Sequence, residues 1–183
     1  MDQADREELK AGLEHILDSP ENNGLLELIV ARPETAKRHV LDNARLDIDK
    51  GLLGDNWKSR GSKSMPDGSA DPQMQLTIMN SRVAQLVAQN RSRWSLAGDQ
   101  LFIDMDLSNE NLPAGTRLSI GNAIIEVTPV PHTGCKKFVS RFGLEAMKFV
   151  NSDYGKKLNL RGINTKVIKS GSIKTDDKVM KSN

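Results

Sequence analysis

A single cysteine, Cys135, stands in a chain of 183 residues. That scarcity excludes an intrachain disulfide and any zinc site built on several thiolates. It also points to a reducing compartment, most simply the cytoplasm. Aromatic residues make up only 4% of the chain, too few for a base-stacking platform. The formal net charge is +2, without the basic excess of a nucleic-acid binder. No apolar run approaches the roughly 18 residues of a membrane-spanning helix. The polar start MDQADREELK is not a secretory signal. Neither nucleic acid nor a membrane is therefore expected as a partner, and composition leaves the oligomeric state open. The three histidines, His15, His39 and His132, show no ligand spacing such as HExxH, so a metal site made by the protein alone is not expected.

What remains is ordinary globular composition, 37% hydrophobic and 27% charged. The periodicity predicts a short helix over REELKAGLEHILDSP, with Leu9, Leu13, Ile16 and Leu17 at helical spacing. Leu25–Pro33 reads as a strand, and a second strand lies in AKRHVLDNARLDIDK. A long Gly- and Pro-marked loop follows, from Gly51 to Pro72; a loop of that length is usually functional or mobile. QLTIMN predicts a strand, and SRVAQLVAQNR a helix with Ser81 as its N-cap. Leu101, Ile103, Met105 and Leu107 alternate with Phe102 and acids, the pattern of a half-buried strand. Gly121-Asn122 predicts a hairpin, KKFVSRFGLEAMKFV a helical stretch broken near Gly143, and LRGINTKVIKSGSIKTDDKVM two closing strands around Ser170-Gly171 with a frayed KSN tail. Regular βαβ alternation is absent. The expected fold is mainly β, a strongly bent antiparallel β-barrel with a few short peripheral helices. Its expected organisation is an N-terminal helical extension over 1–20 and a barrel domain over 21–180.

The chemistry centres on PHTGCKKF, Pro131 to Phe138. Free cysteine is among the most buried residue types, so Cys135 reads first as a packing residue. The neighbours favour a second reading. Lys136 and Lys137 follow it, His132 precedes it by three residues, and a helix starting just after it would add N–H groups; all of these stabilise a thiolate. Gly134 clears space beside the sulfur and permits a positive φ. There is no CxxC pair for disulfide exchange, and nothing marks an oxyanion hole. A lone accessible thiolate can still ligate a soft metal, carry a persulfide sulfur or sense oxidants. Lys136, Lys137 and Arg141 are candidates to hold an anion or to form a solvated basic face. Arg161 suits bidentate binding of phosphate or carboxylate, or a structural ion pair. Asp55 stands ready to orient a ligand or Arg161, or to make an ordinary turn. His132 is a candidate to tune the thiol or shuttle a proton. Trp57 and Trp94 read as core or cleft wall.

Three pieces in this order resemble the MOSC domain, named for the C-terminal domain of molybdenum cofactor sulfurase. They are the G-x-x-L-x-I-G-x-A-x-x-E-V-T run from Gly115 to Thr128, the Pro-rich loop ending in Cys135, and the closing hairpin from Arg161 to Asp177. GLLGD, Gly51 to Asp55, is similar to the family's glycine-aspartate loop. The resemblance covers most of the chain from about Leu25 onward. It implies a β-barrel with the cysteine at the rim of a cleft, and two roles. In one, Cys135 carries sulfur as a persulfide received from a cysteine desulfurase-type donor. In the other, Cys135 ligates the metal of a molybdenum cofactor, and the protein reduces N-hydroxylated compounds with electrons from a donor protein. Cys135 and His132 would then be catalytic, and Arg161, Lys136, Lys137, Asp55 and Arg60 would hold the cofactor. No pyridoxal phosphate domain is expected in this chain. The sequence departs from the family at GDNW, where many members have Arg-His after the aspartate, at Gly134, where many have proline, and around Gln100, near which relatives often place an Arg-Gln-Asn group. Lys58, Arg60, Lys63 and Arg82 are the cations available to compensate. A binding module with an inert cysteine is the third reading.

Overall fold

The structure, a computed structural model, describes residues 3–182. Eleven strands form along the described chain: β1 (Gly24–Ala31), β2 (His39–Leu41), β3 (Asn43–Asp47), β4 (Gly51–Leu52), β5 (Leu76–Asn80), β6 (Leu101–Asp104), β7 (Arg117–Ile120), β8 (Ala123–Val127), β9 (Ile163–Lys169), β10 (Gly171–Lys174) and β11 (Lys178–Ser182). Seven of them close a barrel in the order β1-β6-β5-β9-β8-β7-β11, with β11 returning to β1; β2 adds to β1 outside the ring. Closure removes the free edges that an open sheet of this size exposes. A separate small sheet pairs β10 with β3 and β3 with β4.

The expected fold class holds, with one difference in pairing. β5 and β6 run parallel, Ile78 opposite Leu101, while the other six barrel pairings are antiparallel. A parallel pair needs a crossover. Here α4 (Ser81–Ala88) and a 3-10 segment (Arg91–Ala97) supply it, so the chain contains one β-α-β passage that the sequence pattern did not suggest. The N-cap of α4 is Asn80, whose Oδ1 accepts from Arg82 N at 2.8 Å, rather than Ser81.

Period-two alternation on the barrel strands divides two cores. Leu101, Ile103 and Met105 point into the barrel with Leu26, Ile78 and Ile125. Phe102, Met79 and Val30 point outward and are equally buried. They meet α1 (Arg6–Ala11), α2 (Leu13–Leu17), α4 and α5 (Lys136–Asn151) through Leu9, Ile16, Val83, Val87, Phe138 and Phe142. The strand β6 is thus buried on both faces rather than one. Two further short helices complete the fold, α3 (Trp57–Arg60) and α6 (Asp153–Lys157). Asp5 opens α1 with a capping box, its carboxylate accepting from Glu8 N while Glu8 accepts from Asp5 N. α5 breaks at Gly143 (φ 89°, ψ 167°) as expected.

Two expectations at the C-terminus do not hold. β9 and β10 form no hairpin: β9 stays in the barrel, and β10 turns away to pair with β3. The tail is paired up to Ser182, with Lys181 opposite Leu118 and Ser182 opposite Arg117; Asn183 lies outside the described residues. The pattern from Gly51 to Pro72 holds its own structure, Trp57 being buried with its indole N–H donated to Asp71 O at 3.3 Å. None of the described helices is long and apolar enough to cross a membrane.

Candidate functional site

Two carboxylates without solvent exposure, Asp55 and Asp99, organise one end of the molecule. Asp55, in the glycine-aspartate loop after β4, takes four donors. Arg32 gives Nε at 2.8 Å, Nη2 at 3.0 Å and its backbone N at 2.9 Å, and Trp57 N adds a bond at 2.9 Å. Arg32 also donates Nη1 to Gly98 O at 2.8 Å, tying this loop to the start of β6. Asp99 accepts from Arg161 Nη1 at 2.7 Å, and Arg161 Nη2 donates to Ala97 O at 3.0 Å. Burial makes such pairs rigid positioning devices, because either charge left alone would be costly. Asp55 therefore orients Arg32, and Asp99, which the sequence reading passed over, orients Arg161.

The backbone enforces the second pair. Gly162 has φ +112°, and a Cβ there would lie 2.2 Å from Ile78 O. Only glycine lets the chain press against β5 at this point. The approach carries Arg161 to the loop before β6. The Arg161 guanidinium then lies 5.0 Å from the centroid of Phe138, in the first turn of α5.

Cys135 is the N-cap residue of α5 and is exposed. Its carbonyl accepts from Phe138 N and Val139 N, at 2.9 and 3.1 Å, which anchors the helix start. The preceding loop is clamped by Asn151, whose Oδ1 accepts from Gly134 N at 2.8 Å while its Nδ2 donates to Gly134 O at 3.0 Å. Gly134 serves close packing rather than a positive φ: a Cβ would sit 3.3 Å from Asn151, Met147 and Val150. Burial raises the Cys135 thiol pKa. The N–H groups of Phe138 and Lys137, then the charges of Arg161 and Lys137, act the other way and bring it below the ordinary thiol value. The N–H groups act through their field, since none closes a side-chain cap bond to sulfur.

The sulfur opens into a cavity of about 330 Å³ that Arg32, Arg38, Arg60, Lys137, Arg141 and Arg161 share with Glu34. Among the described residues Arg38 donates only to the carbonyls of Ser95 and Lys37, and Arg141 only to that of Leu96. Burial lowers the pKa of Arg38, and Arg141 and Arg32 lower it further, against Asp55 and Asp99. Arg60 is lowered by burial and by Arg32, against Asp55. These groups repel one another, and an anion in the cavity would relieve the repulsion.

Of the sequence candidates, the structure brings Cys135, Lys137, Arg60, Arg141 and Arg161 to one cavity. Lys136 is exposed next to it. Asp55 stands behind Arg32. His132 lies elsewhere, lining a cavity of about 170 Å³ beside Trp57 and Arg60 and a larger one of about 570 Å³ beyond Arg161. Its Nδ1 is 3.5 Å from Asp99 Oδ1. Burial lowers its pKa to about 3, Arg161 and Arg32 assisting and Asp99 opposing. His132 is therefore neutral near pH 7 and lends the thiolate no positive charge. Gln100 is committed to the fold, its Oε1 accepting from Thr77 N and Oγ1 at 2.8 and 2.7 Å. Arg82 pairs with Asp104 at 2.7 Å, and Lys58 lies over the Trp57 ring. The 570 Å³ cavity, walled by Leu112, Val127, Val130 and Ile163, contains no thiol.

Arg32, Arg38 and Asp99 escaped the sequence reading because each lies in its own short segment. Arg32 carries one signal: it sits between the end of an apolar strand and a proline.

No family model matches the chain, and no curated protein is similar to it in sequence. Solved structures are similar in fold. YuaD from Bacillus subtilis superposes with TM-score 0.62 at 14% identity, covering 86% of this chain and 94% of that one. YiiM from Escherichia coli gives 0.55 at 19%, covering 87% and 70%. YiiM from Geobacillus stearothermophilus gives 0.57 at 11%, covering 87% and 75%. The likeness is one of fold.

Proposed function

We propose that this protein is a MOSC-type sulfur carrier of the cytoplasm, with Cys135 as the carrying residue. The reading rests on one observation: an exposed thiol with a lowered pKa opens into a cavity where cations outnumber carboxylates. The thiolate attacks the outer sulfur of a donor persulfide. A new S–S bond forms at Sγ, the donor's S–S bond breaks, and the donor leaves as a thiolate. Arg161, held by Asp99, and Lys137 stabilise the anionic sulfur before and after transfer. The outer sulfur then passes to a metal-sulfur or molybdenum cofactor acceptor: the acceptor supplies the electron pair of the new bond to sulfur, the Sγ–S bond breaks, and Cys135 returns as a thiolate. Incubation with a cysteine desulfurase and cysteine tests this. Mass spectrometry is expected to show an adduct of about 32 Da, one sulfur atom, absent from Cys135→Ser.

The same cavity favours a second reading, a molybdenum-cofactor-dependent reductase supplied with electrons by a partner protein. The donor set fits such a group. Cys135 is a single soft ligand, and Arg38, Arg60 and Lys137 suit an anionic phosphate. Among the described residues no group of three His, Cys, Asp or Glu is placed to hold a metal, so the group would bring its remaining ligands. When bound, it would supply the redox chemistry. Co-purification of molybdopterin that is lost in Cys135→Ser would favour this reading over the carrier.

A further inference from the structure

The sulfur-carrier reading leaves the identity of the donor open, and the cavity walls restrict it. Arg38, Arg60 and Arg141 line the space beside Cys135 and make no ion pair among the described residues. Arg161 is 94% buried and lines the same space, and among the described residues its Nε has no hydrogen-bond partner. Three guanidinium groups held by no carboxylate, with the buried Arg161 beside them, around a volume of about 330 Å³, describe a receptor for a small, compact, multiply charged oxyanion. A nucleophilic sulfur lines the same space, and an anion that also carries an electrophilic sulfur would meet both.

We infer that the site takes sulfur directly from a small oxyanion bearing a terminal sulfane sulfur, of which thiosulfate is the simplest. This rests on the carrier reading and adds its donor. The Cys135 thiolate attacks the sulfane sulfur. The Sγ–S bond forms, the S–S bond of thiosulfate breaks, and its electron pair leaves with sulfite. Cys135 is left as an anionic persulfide. Charge and atoms balance with no further oxidant or reductant, and no proton moves. The arginines act at both ends of the step. They draw a dianion towards an anionic nucleophile that would otherwise repel it, and they stabilise the departing sulfite dianion. A pocket evolved only to bury a thiolate needs one cation; this one gathers six.

The experiment uses the full chain with sodium thiosulfate as the probe, reading sulfite release and the mass of the Cys135 peptide. Sulfite is expected in a burst of one equivalent, together with an adduct of about 32 Da; both are lost in Cys135→Ser, and sulfate competes. In Arg38→Gln/Arg141→Gln the thiosulfate-driven rate, divided by the desulfurase-driven rate on the same protein, is expected to drop roughly tenfold or more, the scale of losing charge-assisted hydrogen bonds. Neither arginine is in a buried ion pair, so the variant is expected to fold, and its melting curve checks that. Loading by the desulfurase but not by thiosulfate overturns the donor inference and leaves the carrier reading standing. Loading by neither overturns both. Thiosulfate loading with an unchanged ratio in the double variant overturns the role given to the arginines.

Discussion

The barrel interior and the cavity at Cys135 are built from opposite materials. The interior is aliphatic and comes from regular strands, in which every second residue repeats the same choice. The cavity comes from separate segments: the end of β1, the loop before β2, the end of α3, the start of α5 and the turn before β9. The interior is held by many weak, interchangeable contacts. The cavity is held by a few strong and particular ones, at Asp55 and Asp99. The comparison teaches that the barrel tolerates loss of an atom group here or there, whereas the site has single points of failure.

The largest expected effect sharpens that contrast. Cys135→Ser removes all sulfur uptake without lowering the melting temperature, because the side chain is exposed and makes no cap hydrogen bond that could be lost, and serine is itself a favoured N-cap; mass spectrometry and thermal unfolding check the two halves. Asp55→Ala strands Arg32 without its partner, and about 3–5 kcal/mol is expected from breaking a buried pair of this kind. Urea unfolding measures it, and slower alkylation of Cys135 at pH 7 should accompany it as the cavity loosens. Ile103→Ala in the barrel is expected to cost a similar amount, about 2–5 kcal/mol, but with the alkylation rate preserved. Equal disturbance of the thiol by both variants would break the comparison.

A further effect depends on pH. His132 titrates near 3 in the folded protein, below its ordinary value of 6.5. Between those values the unfolded chain binds a proton that the folded one does not. Stability is therefore complete above about pH 6.5 and declines on acidification, with a slope approaching about 1.4 kcal/mol per pH unit from this group. His132→Gln should flatten that slope between pH 6.5 and 4 in urea titrations. The smallest effect is expected at the partly exposed pair Arg82–Asp104: Arg82→Ala should cost on the order of 1 kcal/mol, reduced by salt.

Much of the barrel was legible in the sequence. The alternation at Leu101–Leu107 announced a strand with one face inward, and Gly121-Asn122 announced the β7–β8 hairpin. What was not legible is where non-local packing chose. Phe102 reads as the exposed side of a strand until α4 and α5 cover it. Ser170-Gly171 reads as a hairpin until β3 offers a different edge. At the site, PHTGCKKF was enough to single out Cys135 and Lys137. It also drew in His132, three residues away in sequence, although that side chain lies beside Asp99 and lines the adjoining cavities rather than the thiol's own. Asp55 was noticed for its loop, but its partner Arg32 is 23 residues distant and no local pattern joins them.

By itself the sequence determined the class of fold, through period-two patterning and turn residues that act over a few neighbours, and it determined that any thiol chemistry must fall on one residue. Tertiary structure alone decided which cations face that residue. Five arginines scattered from position 32 to position 161 converge there; buried carboxylates fix two of them, Arg32 and Arg161, and a glycine pressed against β5 carries Arg161 in. Electrostatic neighbourhoods are set by distance in space, and distance along the chain does not encode it.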